Sequence, residues 1–212
     1  SEQPDFKKTD PEIMLHLYQL MKDTHEVFTQ AGIRYWIECG TLLGAVRHGG
    51  IIPWDSDLDV EIDVHQEQEF LALRDTFKEL GYDIIDMPFG YKIYARFEGL
   101  DILITENIDG RIMLQREEVK TWWGRRGQHQ IHFREEELFP LKLYSFGAIE
   151  VYGPQNPYPF LFHNYGDDCL TKGFIQVSHG GNTYHPVGVV LSDEHKKPGM
   201  PIGPLEDRVQ RN

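Results

Sequence analysis

The sequence predicts an α+β domain in which helices flank a mixed β-sheet. The first observation is the order of the segments, because helical and strand patterns alternate between residues 10 and 106 and end in three successive strands. The second is an acid-rich stretch, Asp55 to Asp63, in which every second residue is a carboxylate, as in a strand with one acidic face. We therefore expect one domain over 1–212, with a core at 10–106, a substrate-binding part at 107–177 and an irregular, loosely structured C-terminal extension at 178–212.

The composition is that of a globular, acidic protein. The 212 residues carry a net charge of −13, and the pI is about 5.1. Binding to nucleic acid or to an anionic membrane surface needs an excess of Lys and Arg, so the charge argues against both. Phosphate substrates stay open, because a bound metal inverts the local field. No apolar run approaches the roughly 20 residues of a membrane span, and both the lumen of the secretory pathway and the cytoplasmic face of a membrane fit the sequence.

The N-terminal half begins with an amphipathic helix. Asp10 is suited to cap this helix, Pro11 to occupy its first turn and Gly32 to end it, and apolar residues recur between them at spacings of three and four. The predicted segments that follow are a strand at 33–38, a break at Gly40-Thr41, one or two helical turns at 42–48, a turn at Gly49-Gly50 and the acidic strand.

A second helix and a group of strands come next. Residues 65–81 carry apolar side chains at helical spacing, and Gly81 is a suitable helix stop. Strands are predicted at 82–87, 91–97 and 100–105, and the pattern becomes irregular after Asn107. The later elements are two strands at 142–146 and 148–152 and a helix at 160–165.

The acidic segment predicts a metal site. Asp57 and Asp59 would lie on one face of a strand about 6–7 Å apart, where they repel each other unless a cation lies between them. Mg²⁺, or Mn²⁺, is the natural candidate, since such ions take oxygen ligands and keep substrate phosphates as further ligands. Asp101 is the candidate third acid, because it interrupts an apolar strand, although partial burial or an arginine partner would also explain it. Glu61 and Asp63 lie further along and are expected to be solvated.

A calcium-binding loop is the alternative interpretation of Asp55-Ser56-Asp57-Leu58-Asp59. Such a loop needs glycine at its sixth position and glutamate at its twelfth. This sequence has Val60 and Gln66 there. Two flanking helices are also required, whereas the pattern here is extended, so we reject the calcium loop.

The glycine-rich stretch before the acids predicts a phosphate site. Gly40, Thr41 and Gly44 would allow backbone N–H groups to approach phosphate. Arg47 and His48 would neutralise it, with Lys142 as a further candidate. A plain turn carrying a surface arginine is the alternative. The P-loop ending of Gly-Lys-Ser/Thr does not occur, which excludes that class of ATPase.

Other conspicuous residues have structural explanations that we prefer. His129 and His132 are expected to be loop or surface histidines, because no third metal ligand accompanies them. Trp122 and Trp123 could stack on a sugar or base, but core packing explains them equally well. Arg125 and Arg126 are expected to be solvated. The two cysteines, Cys39 and Cys169, are expected to be free thiols rather than one disulfide, with Cys39 packed and unreactive.

The run from Gly40 to Asp59, GTLLGAVRHGGIIPWDSDLD, resembles the signature of the LicD/fukutin-related phosphotransferase family. The similarity extends from the first helix through 139–142 to 165–167. The resemblance implies a nucleotidyltransferase-type fold and the transfer of phosphocholine, ribitol phosphate or a similar group from a CDP-linked donor to a glycan, with release of CMP. It also implies Asp57, Asp59 and Asp101 as metal ligands, with Asp55 inside the motif. A cysteine cluster for structural zinc, found in some animal relatives, has no counterpart in this sequence.

The sequence therefore predicts a metal-dependent phosphotransferase with a CDP-alcohol donor and a glycan or glycoconjugate acceptor. Mg²⁺ on Asp57 and Asp59 would stabilise the leaving CMP, and Asp101 or Asp55 would take the proton of the acceptor hydroxyl. Two other functions stay open: a nucleotidyltransferase that releases pyrophosphate, and a non-catalytic binding relative.

Overall fold

The computed structural model describes residues 5–96, 98–116, 131–178 and 184–211, and they form an α+β fold, as predicted. The helices within these ranges are α1 Pro11–Ala31, α2 Cys39–His48, α3 Glu67–Leu71, α4 Arg74–Glu79, α5 Glu135–Leu138 and α6 Tyr158–Tyr165, with a 3₁₀ turn at Val64–Gln66. The strands are β1 Tyr35–Ile37, β2 Leu58–Asp63, β3 Asp83–Met87, β4 Gly90–Tyr94, β5 Leu100–Ile108, β6 Arg111–Leu114, β7 Ile131–Arg134, β8 Lys142–Phe146, β9 Ile149–Gly153, β10 Lys172–Ser178 and β11 Tyr184–Val190.

A seven-stranded mixed sheet organises the core in the order β1-β2-β5-β4-β3, with β6 pairing β5 and β7 pairing β6. Only β2 and β5 run parallel among these pairs, and the others are antiparallel. The parallel register places Asp59 directly opposite Asp101. β4 pairs the first half of β5, which places Lys92 opposite Asp101 on the other side. This sheet therefore brings two acids and a lysine into one row.

The first helix forms as its sequence predicts. The Asp10 side chain accepts a hydrogen bond from the Glu12 N–H, and Gly32 ends the helix with a left-handed φ of 71°. Leu17, Leu20 and Phe28 are fully buried against the sheet. Burying each such side chain contributes about 1.5–3 kcal/mol, so packing rather than propensity stabilises α1. Within the described residues, no helix has the length and apolarity that crossing a bilayer requires.

Two segments differ from their predicted bounds. The predicted helix at 65–81 is broken into the 3₁₀ turn, α3 and α4, because the chain tightens where Leu73 N–H bonds to Phe70 C=O at 3.0 Å. This break lets Phe70 and Phe77 both reach the core with no exposed area. The acidic strand begins at Leu58 rather than at residue 55, because the chain is still in a turn closed by Asp55 N–H and Ile52 C=O at 2.9 Å.

The C-terminal residues contact α1. Tyr18 Oη donates to Gly199 C=O at 2.9 Å, and Gln19 exchanges two hydrogen bonds with the backbone of Glu206 at 2.8 and 3.0 Å. Earlier in the chain, β10 and β11 pair as an antiparallel hairpin, which the sequence did not predict. Glycine and proline interrupt the polar and apolar alternation in this hairpin, so its strand pattern is weak.

Candidate active site

The four predicted catalytic acids converge on the end of β2 and the loop before it. Asp59 on β2 and Asp101 on β5 are register partners across the parallel pair. Asp55 and Asp57 lie in the loop that leads into β2. The pairing of neighbouring parallel strands therefore brings acids from distant parts of the chain together.

The Asp101 carboxylate has an incomplete set of partners. Lys92 Nζ lies 3.6 Å from Asp101 Oδ1, which makes an ion pair but exceeds hydrogen-bond distance. Oδ1 is buried and has no hydrogen-bond partner within the described residues. The sequence left open an arginine as the partner of Asp101, and the structure places Lys92 there instead. A buried carboxylate oxygen without a hydrogen bond is costly, and a cation would compensate it.

The electrostatics of the cluster disfavour four bare carboxylates. Burial, followed by the charges of Asp57 and Asp101, raises the pKa of Asp59 well above its ordinary value. Burial likewise raises the pKa of Asp55 to about 6 and that of Asp101 to about 6. The repulsion and the unsatisfied Asp101 oxygen both fit a hard divalent cation, which takes oxygen ligands.

A cavity of about 370 Å³ opens over these acids. Asp55, Asp57 and Asp59 line it, whereas Asp101 does not. Arg47 and Tyr165 are also among the lining residues, and burial raises the pKa of the Tyr165 hydroxyl far above its ordinary value. The cavity is therefore a pocket in which carboxylates, a guanidinium and a neutral phenol meet. Two larger grooves of about 780 Å³ each lie elsewhere and are not lined by Asp57 or Asp59.

The glycine-rich start of α2 supports the acids. Thr41 Oγ1 accepts a hydrogen bond from the backbone N–H of Asp59 at 2.9 Å, so it fixes the position of that acid. A Cβ at Gly40 would lie 3.0 Å from Asp55 Oδ2. A Cβ at Gly44 would lie 2.4 Å from the Gly50 carbonyl oxygen, so Gly44 allows α2 to pack against the following turn. Among Gly40, Thr41 and Gly44, Gly40 alone lines the cavity.

Arg47 and His48 form a hydrogen-bonded pair in which His48 is buried and Arg47 is half-buried. Arg47 Nε donates to His48 Nε2 at 2.8 Å, and Arg47 Nη1 donates to the carbonyls of Cys169 and Lys172 at 2.8 and 3.1 Å. Burial and the Arg47 charge lower the pKa of His48 to about 4, so His48 is neutral and accepts this bond. His48 therefore orients the guanidinium that faces the acids.

Lys142 lies away from this cavity. It is exposed on β8, and its Nζ lies 5.0 Å from the centroid of the Tyr144 ring. It is not among the residues that line the pocket. Trp122, Trp123, Arg125, Arg126 and His129, which were weighed as substrate or metal contacts, fall outside the described residues.

Two predictions about polar residues are wrong. Glu61 was expected to be solvated and is fully buried, and His132 was expected in a loop or on the surface but lies on β7 with 5% of its area exposed. His132 Nδ1 lies 2.5 Å from Glu61 Oε2, and Trp36 Nε1 donates to Glu61 Oε1 at 2.8 Å. Glu38 joins them, forming a buried Glu38–Glu61–His132 cluster. One feature of the sequence could have indicated the burial of Glu61. It lies two residues after Asp59 and therefore on the same face of the strand.

The cysteines are free thiols, as predicted. Cys169 is buried, and the Cys39 thiol donates to Glu38 Oε2 at 2.6 Å. Cys39 has a φ of 47°, a left-handed conformation that is unusual for a residue other than glycine. The thiol is half-buried at the wall of the cavity, where burial and the neighbouring acids raise its pKa well above the ordinary value.

The family of the chain follows from a match to a family model. The model described as LicD/FKTN/FKRP, nucleotidyltransferase domain, matches residues 32–156, which include the acidic loop, β2 and β5. The chain belongs to the LicD/FKTN/FKRP family. An uncharacterized protein of Rickettsia prowazekii is 39% identical over 201 residues, which are 92% of this chain and 73% of that protein.

Two named enzymes are also similar to this LicD-family chain. Ribitol 5-phosphate transferase FKRP of Mus musculus is 32% identical over 68% of this chain and 30% of its own length. Lipopolysaccharide cholinephosphotransferase LicD of Haemophilus influenzae is 33% identical over 35% of this chain and 27% of its own length. The chain thus spans about a third or less of either named enzyme. Among solved structures, lincosamide adenylyltransferase LnuA aligns over 74% of this chain and 87% of its own, at 16% identity and a TM-score of 0.44.

Proposed function

We propose that this LicD-family chain transfers a phospho-alcohol, such as phosphocholine or ribitol phosphate, from a CDP-linked donor to a glycan hydroxyl and releases CMP. The observation that carries the proposal is the Asp59–Asp101 pair, set side by side on parallel strands, together with the cavity that Asp55, Asp57 and Asp59 line. Family membership supports a phosphotransferase, because two similar enzymes are named as transferring ribitol 5-phosphate and choline phosphate.

Asp57, Asp59 and Asp101 would hold Mg²⁺ or Mn²⁺. A cation there would act as a Lewis acid that neutralises charge on the donor pyrophosphate. The same residues would otherwise repel an anionic donor, so the proposal requires metal for binding as well as for turnover. Lys92 stays beside Asp101 and balances one of the carboxylate charges.

Asp55 is our candidate general base. It lines the cavity without a place in the proposed metal set, and its pKa of about 6 leaves most of it ionised at neutral pH. In the reaction, the acceptor oxygen bonds to the phosphorus that carries the alcohol, and the bond from that phosphorus to the CMP oxygen breaks. The acceptor proton passes to the Asp55 carboxylate and then to solvent.

Arg47 would hold phosphate oxygens of the donor. Its guanidinium lines the cavity and is anchored through Nε and Nη1. A guanidinium whose geometry is fixed before binding loses little entropy when it takes a phosphate. The acceptor would then reach the donor from the open side of the cavity.

Nucleotidyl transfer is the second candidate function, and the description of the family model as a nucleotidyltransferase domain favours it. The two reactions use the same metal acids but break different bonds. Transfer of a phospho-alcohol releases CMP, whereas transfer of a nucleoside monophosphate from a triphosphate releases pyrophosphate. The released product therefore separates them.

The experiment measures CMP released from CDP-choline, CDP-ribitol, CDP-glycerol and CDP-ethanolamine, each with Mg²⁺ and with EDTA. We expect metal-dependent CMP release from one donor and its loss in Asp57→Asn. The matched control is Asp63→Asn at the far end of β2, because Asp63 does not line the cavity. Pyrophosphate release from a nucleoside triphosphate, with no CMP from any donor, would favour nucleotidyl transfer. Undiminished CMP release by Asp57→Asn would refute the metal assignment.

A further inference from the structure

The Glu38–Glu61–His132 cluster has no part in the proposed reaction. One ligand atom from each residue lies within 4.8 Å of the others. The side chains of Glu38, Glu61 and His132 are 1%, 0% and 3% exposed. None of the three lines the cavity of the candidate active site.

The ligand atoms of the cluster lie close to one another. His132 Nδ1 lies 2.5 Å from Glu61 Oε2 and 3.9 Å from Glu38 Oε2. Ligand atoms around a tetrahedral zinc ion are about 3.3 Å apart, given metal–ligand bonds of about 2.0–2.2 Å. The two observed distances lie on either side of that value, so small side-chain rotations would equalise them.

The charges of the cluster call for a cation. Two buried carboxylates side by side are expensive unless a positive charge balances both. An imidazolium on His132 would balance only one of them.

We propose that Glu38, Glu61 and His132 form a second metal site, distinct from the acids of the cavity, and that this site takes Zn²⁺. An imidazole nitrogen suits zinc better than magnesium or calcium, which prefer oxygen ligands. The Cys39 thiol, 2.6 Å from Glu38 Oε2, places a sulfur donor beside one ligand atom and favours the same metal. Two carboxylates and a neutral imidazole balance the charge of Zn²⁺.

The site would be structural. Glu38 immediately precedes α2, Glu61 lies on β2, and His132 lies on β7. Within the part of the chain that the structure describes, β7 joins the core sheet through its pairing with β6. A shared ion would therefore tie this outer strand to β2 and fix the start of α2, which carries Gly40 and Thr41. The proposal does not depend on which reaction the cavity catalyses.

The test measures the zinc content of a protein in which two of the proposed metal ligands, Asp57 and Asp101, have been substituted. Asp57→Asn with Asp101→Asn provides that background, because neither residue belongs to the cluster. After dialysis against Zn²⁺ and then metal-free buffer, elemental analysis should find one zinc per chain. Adding His132→Gln should lower the zinc affinity at least about 100-fold, since even the loss of a partner outside the ligand set costs about 10–100-fold. Zinc should also raise the Tm of the background protein and leave that of the His132→Gln variant unchanged.

Two further variants keep the test decisive. His65→Gln is the matched control, because His65 also lies beside a carboxylate, 2.6 Å from Asp63 Oδ1, but is exposed. This variant should keep its zinc. Glu38→Gln preserves size and decides the matter if His132→Gln fails to fold, and it should lose zinc. The proposal would be overturned if the background protein contained no zinc, or if Glu38→Gln contained as much zinc as the background protein. The three side chains would then be joined by hydrogen bonds without a metal.

Discussion

Replacing Gly44 by alanine tests whether this glycine serves packing or phosphate binding. Gly44 lies inside α2, where alanine is favoured over glycine by about 1 kcal/mol of intrinsic helix propensity. If Gly44 mattered only because it lets phosphate approach, Gly44→Ala would stabilise the protein and weaken donor binding.

The structure predicts the opposite sign for stability. The added Cβ would lie 2.4 Å from the Gly50 carbonyl oxygen and 3.2 Å from Ile52 N. Both neighbours are backbone atoms, so α2 or the turn must move by most of an ångström. Overpacking of this kind costs about 3 kcal/mol at the upper end of its usual range. Subtracting the gain in helix propensity leaves a loss of about 2 kcal/mol in the free energy of unfolding.

Urea denaturation measures this loss through the shift of the midpoint at constant slope. Gly203→Ala is the control, because its added Cβ would meet no atom within 4 Å, and we expect a change near zero. Unchanged or increased stability of Gly44→Ala, together with weaker donor binding, would refute the packing argument.

Three further predictions concern the neighbouring residues. Thr41→Val leaves the Asp59 N–H without its acceptor and should lower the free energy of unfolding by about 1–3 kcal/mol in urea melts, unlike Thr41→Ser. His48→Ala removes the acceptor that orients Arg47, so steady-state kinetics should show KM for the donor rising about tenfold with a smaller change in kcat. In chelator, Asp101→Asn should stabilise the protein at pH 7 by up to about 3 kcal/mol, because a carboxyl whose pKa is raised to about 6 on folding destabilises the folded state above that pH. This gain should fade as the pH falls from 6 to 4, where folded and unfolded states are both protonated. A gain that persists at pH 4 would contradict the burial of that charge.

The proximity of Asp59 and Asp101 was predictable because each lies in a short segment whose residue pattern indicates a strand. The alternation around Asp59 and the single acid in the apolar Asp101 segment each indicate a strand, and two such strands pair in a sheet. The surrounding helix–strand order was equally visible, since α1 has both a capping residue and a clear apolar stripe.

The buried polar cluster was not predictable in the same way. His132 follows a stretch without recognisable periodicity, and its burial depends on β7 pairing with β6 rather than on its own neighbours. Glu61 was misjudged because a carboxylate on a strand is normally solvated, whereas here Trp36 and His132 are hydrogen-bond partners of the buried carboxylate. Partners that are distant in sequence leave no local signal.

The parallel pairing of β2 and β5 also constrains how the protein folds. Parallel neighbours cannot be joined by a tight turn, and here α3, α4, β3 and β4 all lie between them. The chain must close this long loop before Asp59 meets Asp101, and such non-local contacts form slowly. A nascent or partly unfolded chain therefore holds its acids apart and lacks the paired carboxylates of the native site. The divalent ion that we propose for the paired acids would therefore bind late in folding, and its binding would report that β2 and β5 have paired.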